Sequence, residues 1–261
     1  MKVFDSPLFG RIAEPETLDE FLSACSPLIE EEHFNVHMWR GQANIDWPIH
    51  SGAYRRLLLT REHPTEHDLA YYERWLLKKA THKGLNLHEG RQLSDFELLA
   101  KLQHHGAATR LLDATRNCLV ALYFAAESYA DGHGLVAGFH SSFLGGGEGN
   151  PESRPYDEVV GALLPHSHPQ TWDSPVITSR IAAQHSQFLY SALSQDPRSS
   201  IRIADGEYSF LAIAISPQLK IAALKMLSEL FDIRYSTLFP DIYGFCQINS
   251  TRFQEFEHER W

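Results

Sequence analysis

Residues 103–115 read QHHGAATRLLDAT, which gathers His104, His105, Thr109, Arg110, Asp113 and Thr115 into one short run directly ahead of the apolar segment CLVALYFAA. These side chains suit chemistry. Histidine moves protons near neutral pH, a carboxylate stabilises developing positive charge, and a guanidinium grips phosphate or carboxylate. Polar groups this dense are costly to bury unless they satisfy one another or reach a ligand. Arg40, Gly41 and Gln42 form a second candidate group, at the end of a predicted strand. Arg40 and the segment from His104 to Thr115 are therefore expected to face one cleft.

Most of these residues also have a structural reading. Arg40 can pair with a carboxylate of the scaffold. Arg110 and Asp113 stand three apart and can form a salt bridge that braces the joint, although Asp113 is also the only acid inside the run. Thr109 and Thr115 can cap the following helix or bind a ligand. His104 and His105 are adjacent, so on a helix they point about 100° apart and cannot readily share an ion. Either one with Asp113 makes a partial metal site, and His166 and His168 form a loop pair, but no HExxH is present. No metal is expected. A metal-dependent hydrolase of nucleotides or nucleic acid is kept as an alternative, on the histidine count alone.

The elements that must position these groups can be read from caps and periodicity. Thr17-Leu-Asp-Glu20 and Ser94-Asp-Phe-Glu97 are capping boxes, the second opening a helix that runs through LLAKLQHH to a stop at Gly106. Thr65, with Asp68 three residues on, opens a helix to about Ala80. Residues 34–41 alternate Phe34, Val36 and Met38 on one face, as a strand does. TRLLD is too short for a helix and is expected to be a buried strand or turn crossing the core on Leu111 and Leu112. Thr115 or Asn117 then caps the helix CLVALYFAAESYA. LVAGF (135–139) is a predicted strand, residues 145–155 a loop without the GK[ST] of a phosphate-binding loop. Later strands are expected around 177–181, 188–193, 201–203 and 209–215. Ser216-Pro217 starts a helix to Phe231, and a short helix follows Pro240. The fold class expected is α+β, a single domain over residues 1–261, helices first and then helices mixed with a mostly antiparallel or mixed sheet.

The chain has 261 residues, 43% hydrophobic and 21% charged, with a formal net charge of −10. That charge argues against a broad phosphate-binding surface but leaves room for a local one. Arg55, Arg56, Arg61, Arg74, Lys78, Lys79 and Lys83 form a basic stretch that is either a solvated helix face or a nucleic-acid track. Cys25, Cys118 and Cys246 are far apart with no CxxC, which fits reduced thiols in the cytoplasm. No window reaches the length of a membrane span, and no membrane association is expected. The terminal QEFEHERW is expected to pack on the domain or dock onto a partner.

WRGQANIDWPIHSGAYRR, LLAKLQHHGAATRLLDATRNCLVALYFAAE, RIAAQHSQFL and STLFPDIYG together resemble the FRG domain family, over roughly residues 34–246. Here Trp39 stands in place of the usual first aromatic of the Phe-Arg-Gly motif, Ala114 in place of a common tryptophan, Cys118 in place of a frequent proline and Ser186 in place of a glycine. The motif order is also similar to that of the ADP-ribosyltransferase superfamily: a strand ending in an Arg, a polar strand before a helix ending in "FA", and a third motif carrying Glu or Gln. That resemblance implies an ADP-ribosyltransferase-like fold and NAD as substrate, with a nucleotide pocket walled by residues 103–115. It implies Arg40, Gly41, Gln42, His104, Thr109, Arg110, Thr115 and Tyr123 as NAD-binding, with Trp39 or Tyr123 stacking on nicotinamide. Asp113, Gln184 and His105 are implied as catalytic, and the helix after Thr115 or Asn117 points its N-terminus at phosphate. His104 or His105, Arg110 and Asp113 would stand at the rim. Gln184 would face the cleft with Phe188 in the core beneath it, but RIAAQHSQF holds no glutamate. The implied function is transfer of ADP-ribose to a macromolecular acceptor, nucleic acid or protein, as an intracellular toxin or anti-phage effector with a possible neutralising partner protein. The alternative is a non-catalytic nucleotide-sensing or interaction domain.

Overall fold

The computed structural model of the chain describes residues 1–26, 37–146, 153–206 and 208–251. It opens with the strands β1 (Lys2–Ser6) and β2 (Gly10–Glu14), then α1 (Leu18–Cys25), β3 (His37–Gln42), α2 (Gly52–Leu58) and α3 (Glu66–His82). A two-residue-per-strand hairpin, β4 (Leu87–His88) and β5 (Arg91–Gln92), leads to α4 (Asp95–His104), β6 (Leu112–Thr115), α5 (Cys118–Ala126) and β7 (Gly134–His140). The second half holds α6 (Tyr156–Leu163), β8 (Gln170–Trp172), α7 (Ser179–Ala183), β9 (Ser186–Tyr190), β10 (Phe210–Ile215), α8 (Pro217–Phe231), α9 (Tyr235–Leu238) and α10 (Ile242–Ile248).

Eight strands form one mixed sheet in the order β1-β2-β10-β7-β3-β6-β9-β8. Its pairs are antiparallel except β2 with β10. The fold is therefore α+β. The predicted caps form: Thr65 and Asp68 close one capping box and Ser94 and Glu97 another, Thr17 caps α1, and Ser216 caps α8 with proline in the first turn. The chain does not begin with helices, because the β1–β2 hairpin precedes α1. The strand expected at 177–181 is α7 instead: Ile177 and Ile181, four apart, both enter the core, a helical spacing rather than a strand alternation. The strand expected at 188–193 is β9, which ends at Tyr190. Residues 201–203 contribute only an isolated bridge between Ile201 and Leu193. Phe34, Val36 and the C-terminal QEFEHERW lie outside the described residues.

Alternation along β3 divides the core. Trp39 turns to the face covered by α1, α5 and α8, packing with Phe21, Val120, Ala121, Leu219 and Ala223. Met38 turns to the other face, with Leu112, Leu135, Phe139 and Leu189. α5 is apolar on nearly every side, as a helix must be when it lies between a sheet and other helices. A third cluster joins α3, α4, α6 and α7 to Trp172 and Phe188 of β8 and β9. Among the described residues no helix is long and apolar enough to cross a membrane.

Candidate functional site

The site forms where the sheet comes apart. β3 and β6 share one bridge, Trp39 opposite Thr115. A regular antiparallel register would continue with Arg40 opposite Ala114 and Gly41 opposite Asp113, but neither pair forms. β3 instead presses on α5 so closely that a Cβ on Gly41 would sit 1.8 Å from the Ala121 carbonyl oxygen. Only glycine allows that approach. The Asp113 carbonyl, left without a strand partner on this side, accepts from Nη1 of Arg40 at 2.8 Å, across 73 positions of sequence. A side chain thus takes the place of a ladder bond.

Arg40 is the common wall of three adjoining recesses. The first, about 260 Å³, is lined by Arg40, Gln103, His104, Asp113, Thr115 and Gln184, with Phe124 and Phe239 as its apolar side. The second, about 510 Å³, joins Arg40 to His50, Arg55, Arg56, Gln103 and Asp113. The third, about 380 Å³, joins it to Gln42, Trp47, His50, Arg55, Phe124 and Glu127. Nε of Arg40 and Nδ1 of His50 are buried with no hydrogen-bond partner among the described residues. Burial holds the Arg40 guanidinium below its ordinary pKa and nearby Arg55 adds to this, while Asp113 opposes it. Burial, again with Arg55, brings His50 down to about 4. A cationic group with an unused, desolvated donor is an anion site in waiting, because each charge-assisted bond it gains is strong.

The expected meeting of Arg40 with residues 104–115 therefore occurs, but not with every residue named. Asp113 is exposed at the rim, where Oδ1 accepts from Nε2 of Gln103 at 2.6 Å. Gln103 is in turn oriented by the hydroxyl of Thr109, which is fully buried and lines none of the three recesses. Thr109 is a positioning residue, not a ligand contact. His104 lines the first recess. Its Nδ1 meets the Thr178 hydroxyl at 2.6 Å, and burial pulls its pKa down against the upward pull of Asp113. His105 caps the C-terminus of α4, is exposed and lines none of the three recesses. The proton-handling role expected of it has no geometric basis.

Arg110 departs most from expectation. It is 2% exposed and far from the rim. Nε donates to Glu73 at 2.6 Å, and Nη2 donates to Glu66 at 2.9 Å and to the Tyr156 hydroxyl at 2.7 Å. Burial lowers its pKa, but Glu73, Tyr156 and Glu66 outweigh that and the net shift is upward. No Arg110–Asp113 bridge exists, because a three-residue spacing shares a face on a helix and not on an extended chain. Tyr123 is likewise core, 7% exposed, and the next residue, Phe124, takes the aromatic position with Phe239, their rings 6.1 Å apart and perpendicular. Trp39 borders the recess while its ring lies against Gly138.

Thr115 caps nothing. Its hydroxyl donates to the Gln184 carbonyl at 2.7 Å, and Asn117 caps α5 by accepting from the Leu119 N–H. That N-terminus opens toward Asn117, Leu119, Ala183 and Ile233, away from Arg40, so it offers no phosphate site in the cleft. The C-terminal end of α5 faces the cleft instead, through Phe124, Glu127 and Ser128. Gln184 does line the first recess above the fully buried Phe188, but its Nε2 donates to the Leu238 carbonyl at 3.0 Å, tying α7 to α9. Gln42 similarly donates to the Trp47 carbonyl at 2.6 Å and shapes the third recess.

Several site residues were not identified from the sequence. Gln103 stood inside the quoted run, and Glu127 closed the FAAE segment. Glu127 is open to solvent on one side, while the protein crowded around its other sides pushes its carboxyl up to about 7. Arg180 lines the first recess while ion-paired with Asp241 (Nη2–Oδ1 3.0 Å), and its Nη1 donates to the His104 carbonyl. Lys220, buried in α8, steadies the third recess by donating to the carbonyls of Ala43, Ser128 and Tyr129. Among the described residues no three His, Cys, Asp or Glu side chains stand close enough to hold a metal ion; His166 and His168 are in ring contact at 5.2 Å, and Nδ1 of His168 also meets the Gln170 side-chain amide at 3.3 Å.

No curated protein and no solved structure matches the chain. Residues 35–133 match the family model for the FRG domain, a span that runs from β3 through α5 and carries Arg40, Gln103, Asp113, Phe124 and Glu127, while Arg180, Gln184 and Phe239 on the opposite wall fall outside it. Over residues 35–133 the chain is thus similar to the FRG domain family.

Proposed function

We propose that the Arg40 cleft binds NAD as a substrate and transfers its ADP-ribosyl group to a macromolecular acceptor. The observation that carries this is Arg40 itself: a guanidinium with a buried, unpartnered Nε at the wall shared by three recesses, with an apolar aromatic side at Phe124 and Phe239 and an exposed carboxylate at Asp113. Arg40, assisted by Arg55, suits the pyrophosphate. Phe124 and Phe239 suit a flat heteroaromatic ring.

In the transfer, the bond between ribose C1′ and the nicotinamide nitrogen breaks and nicotinamide leaves with the electron pair. The sugar passes through an oxocarbenium-like state, which a nearby carboxylate stabilises. Asp113 is that carboxylate, and Gln103 fixes its orientation. The acceptor nucleophile adds to C1′ and gives up a proton. Glu127, whose carboxyl titrates at about 7 in the adjoining recess, is suited to take it in place of His105. The effector role and the neutralising partner protein rest on the similarity of motif order to the ADP-ribosyltransferase superfamily alone.

A second reading, nucleotide sensing without turnover, is favoured by one observation. The Gln184 amide is engaged by Leu238, and no acid stands in residues 180–188. Incubating the purified protein with ADP-ribose-labelled NAD and cell lysate, with and without chelator, separates the possibilities. Label on macromolecules and release of nicotinamide in both conditions is the expected result. NAD bound without either would establish sensing. Chelator-sensitive hydrolysis of nucleotides or nucleic acid would establish the metal-dependent alternative.

A further inference from the structure

The second recess continues onto a surface that, beyond Arg55, the proposed chemistry leaves unused. Arg55 and Arg56 line it, and neither is ion-paired among the described residues. The Arg56 guanidinium lies 5.4 Å from the Tyr72 ring, and the Tyr72 hydroxyl donates to the carbonyl of Ala108, which lines the recess. One turn further along α3, Trp75 is 44% exposed, with the Nζ atoms of Lys78 and Lys79 at 5.4 and 5.6 Å from its ring. Tyr71, 55% exposed, stands 6.4 Å from Trp75. Tyr72, Trp75 and Lys79 follow the three- and four-residue spacing of one helix stripe, so cations and rings alternate outward from the recess over about 10 Å.

The acids of α3 do not cancel this charge. Glu66 and Glu73 are turned inward on Arg110, and Asp68 is held by Thr65 and Arg61. Arg74 at the edge pairs with Asp157, whereas Lys78 and Lys79 have no carboxylate partner among the described residues. A net charge of −10 thus coexists with a local face that is positive and aromatic. Cations alone would serve an acidic peptide equally well. Exposed rings set between them fit a chain whose flat bases stack while its phosphates follow the cations.

We propose that the α2–α3 surface seats a single strand of nucleic acid and leads it into the Arg40 cleft. Calling that strand the acceptor rests on the transferase reading; the binding surface does not. The test uses the full chain and a fluorescein-labelled single-stranded oligonucleotide of about twelve nucleotides, followed by anisotropy across a salt series. Wild type is expected to bind at low salt and weaken as salt rises. Replacing Lys78→Gln and Lys79→Gln together should lower the slope of log affinity against log salt by about 1.4, at about 0.7 per phosphate contact. Trp75→Ala should weaken binding about fivefold or more with the slope unchanged. All three residues are on the surface, and NAD binding should be the same in every variant. No strand binding at low salt, variants that bind like wild type, or equal competition by a poly-glutamate peptide of the same length would each overturn the proposal. Strand binding as described together with absent transfer would leave this surface standing and remove the transferase reading instead.

Discussion

Arg40→Gln isolates the anion site from the scaffold. Among the described residues the wild-type guanidinium makes one hydrogen bond, to the Asp113 carbonyl at 2.8 Å, and keeps Nε buried without a partner. Glutamine can still donate toward that carbonyl from a shorter side chain, so the structural loss is about one neutral bond, roughly 1 kcal/mol. Removing a desolvated cation that sits near Arg55 offsets part of that loss. The melting temperature should therefore move by no more than about 3 °C. Ligand binding should respond very differently. A pyrophosphate that satisfies Nε gains charge-assisted bonds worth about 1.5–3 kcal/mol each, so NAD and ADP-ribose affinity should fall by about 10- to 100-fold. Calorimetric titration of both ligands, with thermal melts on the same samples, reads the two effects separately. An Arg40→Gln protein that binds NAD as wild type does would refute the anion-site assignment. A fall in melting temperature above about 10 °C with normal ligand affinity would show that Arg40 serves only to bridge the split between β3 and β6.

Asp113→Asn keeps an oxygen for the Gln103 amide, so folding and NAD affinity should be retained while nicotinamide release slows by about a hundredfold; equal rates would show that Asp113 has no electrostatic role. Gln184→Ala breaks the bond to Leu238, so a loss of about 1 kcal/mol in urea denaturation is expected alongside any change in NAD binding, and unchanged stability would show that this amide does not tie α7 to α9. The folded-state pKa of Glu127, about 7, lies above its ordinary 4.5, so its proton favours the folded chain. Wild type should lose stability relative to Glu127→Gln as pH rises from about 4.5 to 7 and then stay level; parallel melting curves across that range would refute the shift. Arg110→Met removes one partner of a fully buried ion pair with Glu73 and should lower unfolding free energy by about 3–5 kcal/mol, and a loss under about 1 kcal/mol would mean that this pair does not brace the core.

The local signals in the sequence were strong where short-range geometry decides the outcome. Capping boxes at Thr65 and Ser94, the proline after Ser216, the stop at Gly106 and the all-apolar run of α5 each fix an element through bonds within a few residues, and each element formed, although α5 ends at Ala126 rather than running on to the expected Ala130. The density of polar groups in QHHGAATRLLDAT also signalled a real meeting with Arg40, because buried polar atoms must be satisfied somewhere. What the run could not reveal is which side each residue turns to. Arg110 went to the core because Glu73 and Glu66, some forty positions earlier on α3, were there to neutralise it. Phe124 rather than Tyr123 reached the cleft because α5 had to put Tyr123 against the core, and one helical step is about 100°. The split between β3 and β6, the wall supplied by Arg180, Gln184 and Phe239, and the raised carboxyl of Glu127 arise from strand register and packing between distant segments. Spacing along the chain carries no record of those contacts, so only the tertiary structure could decide them.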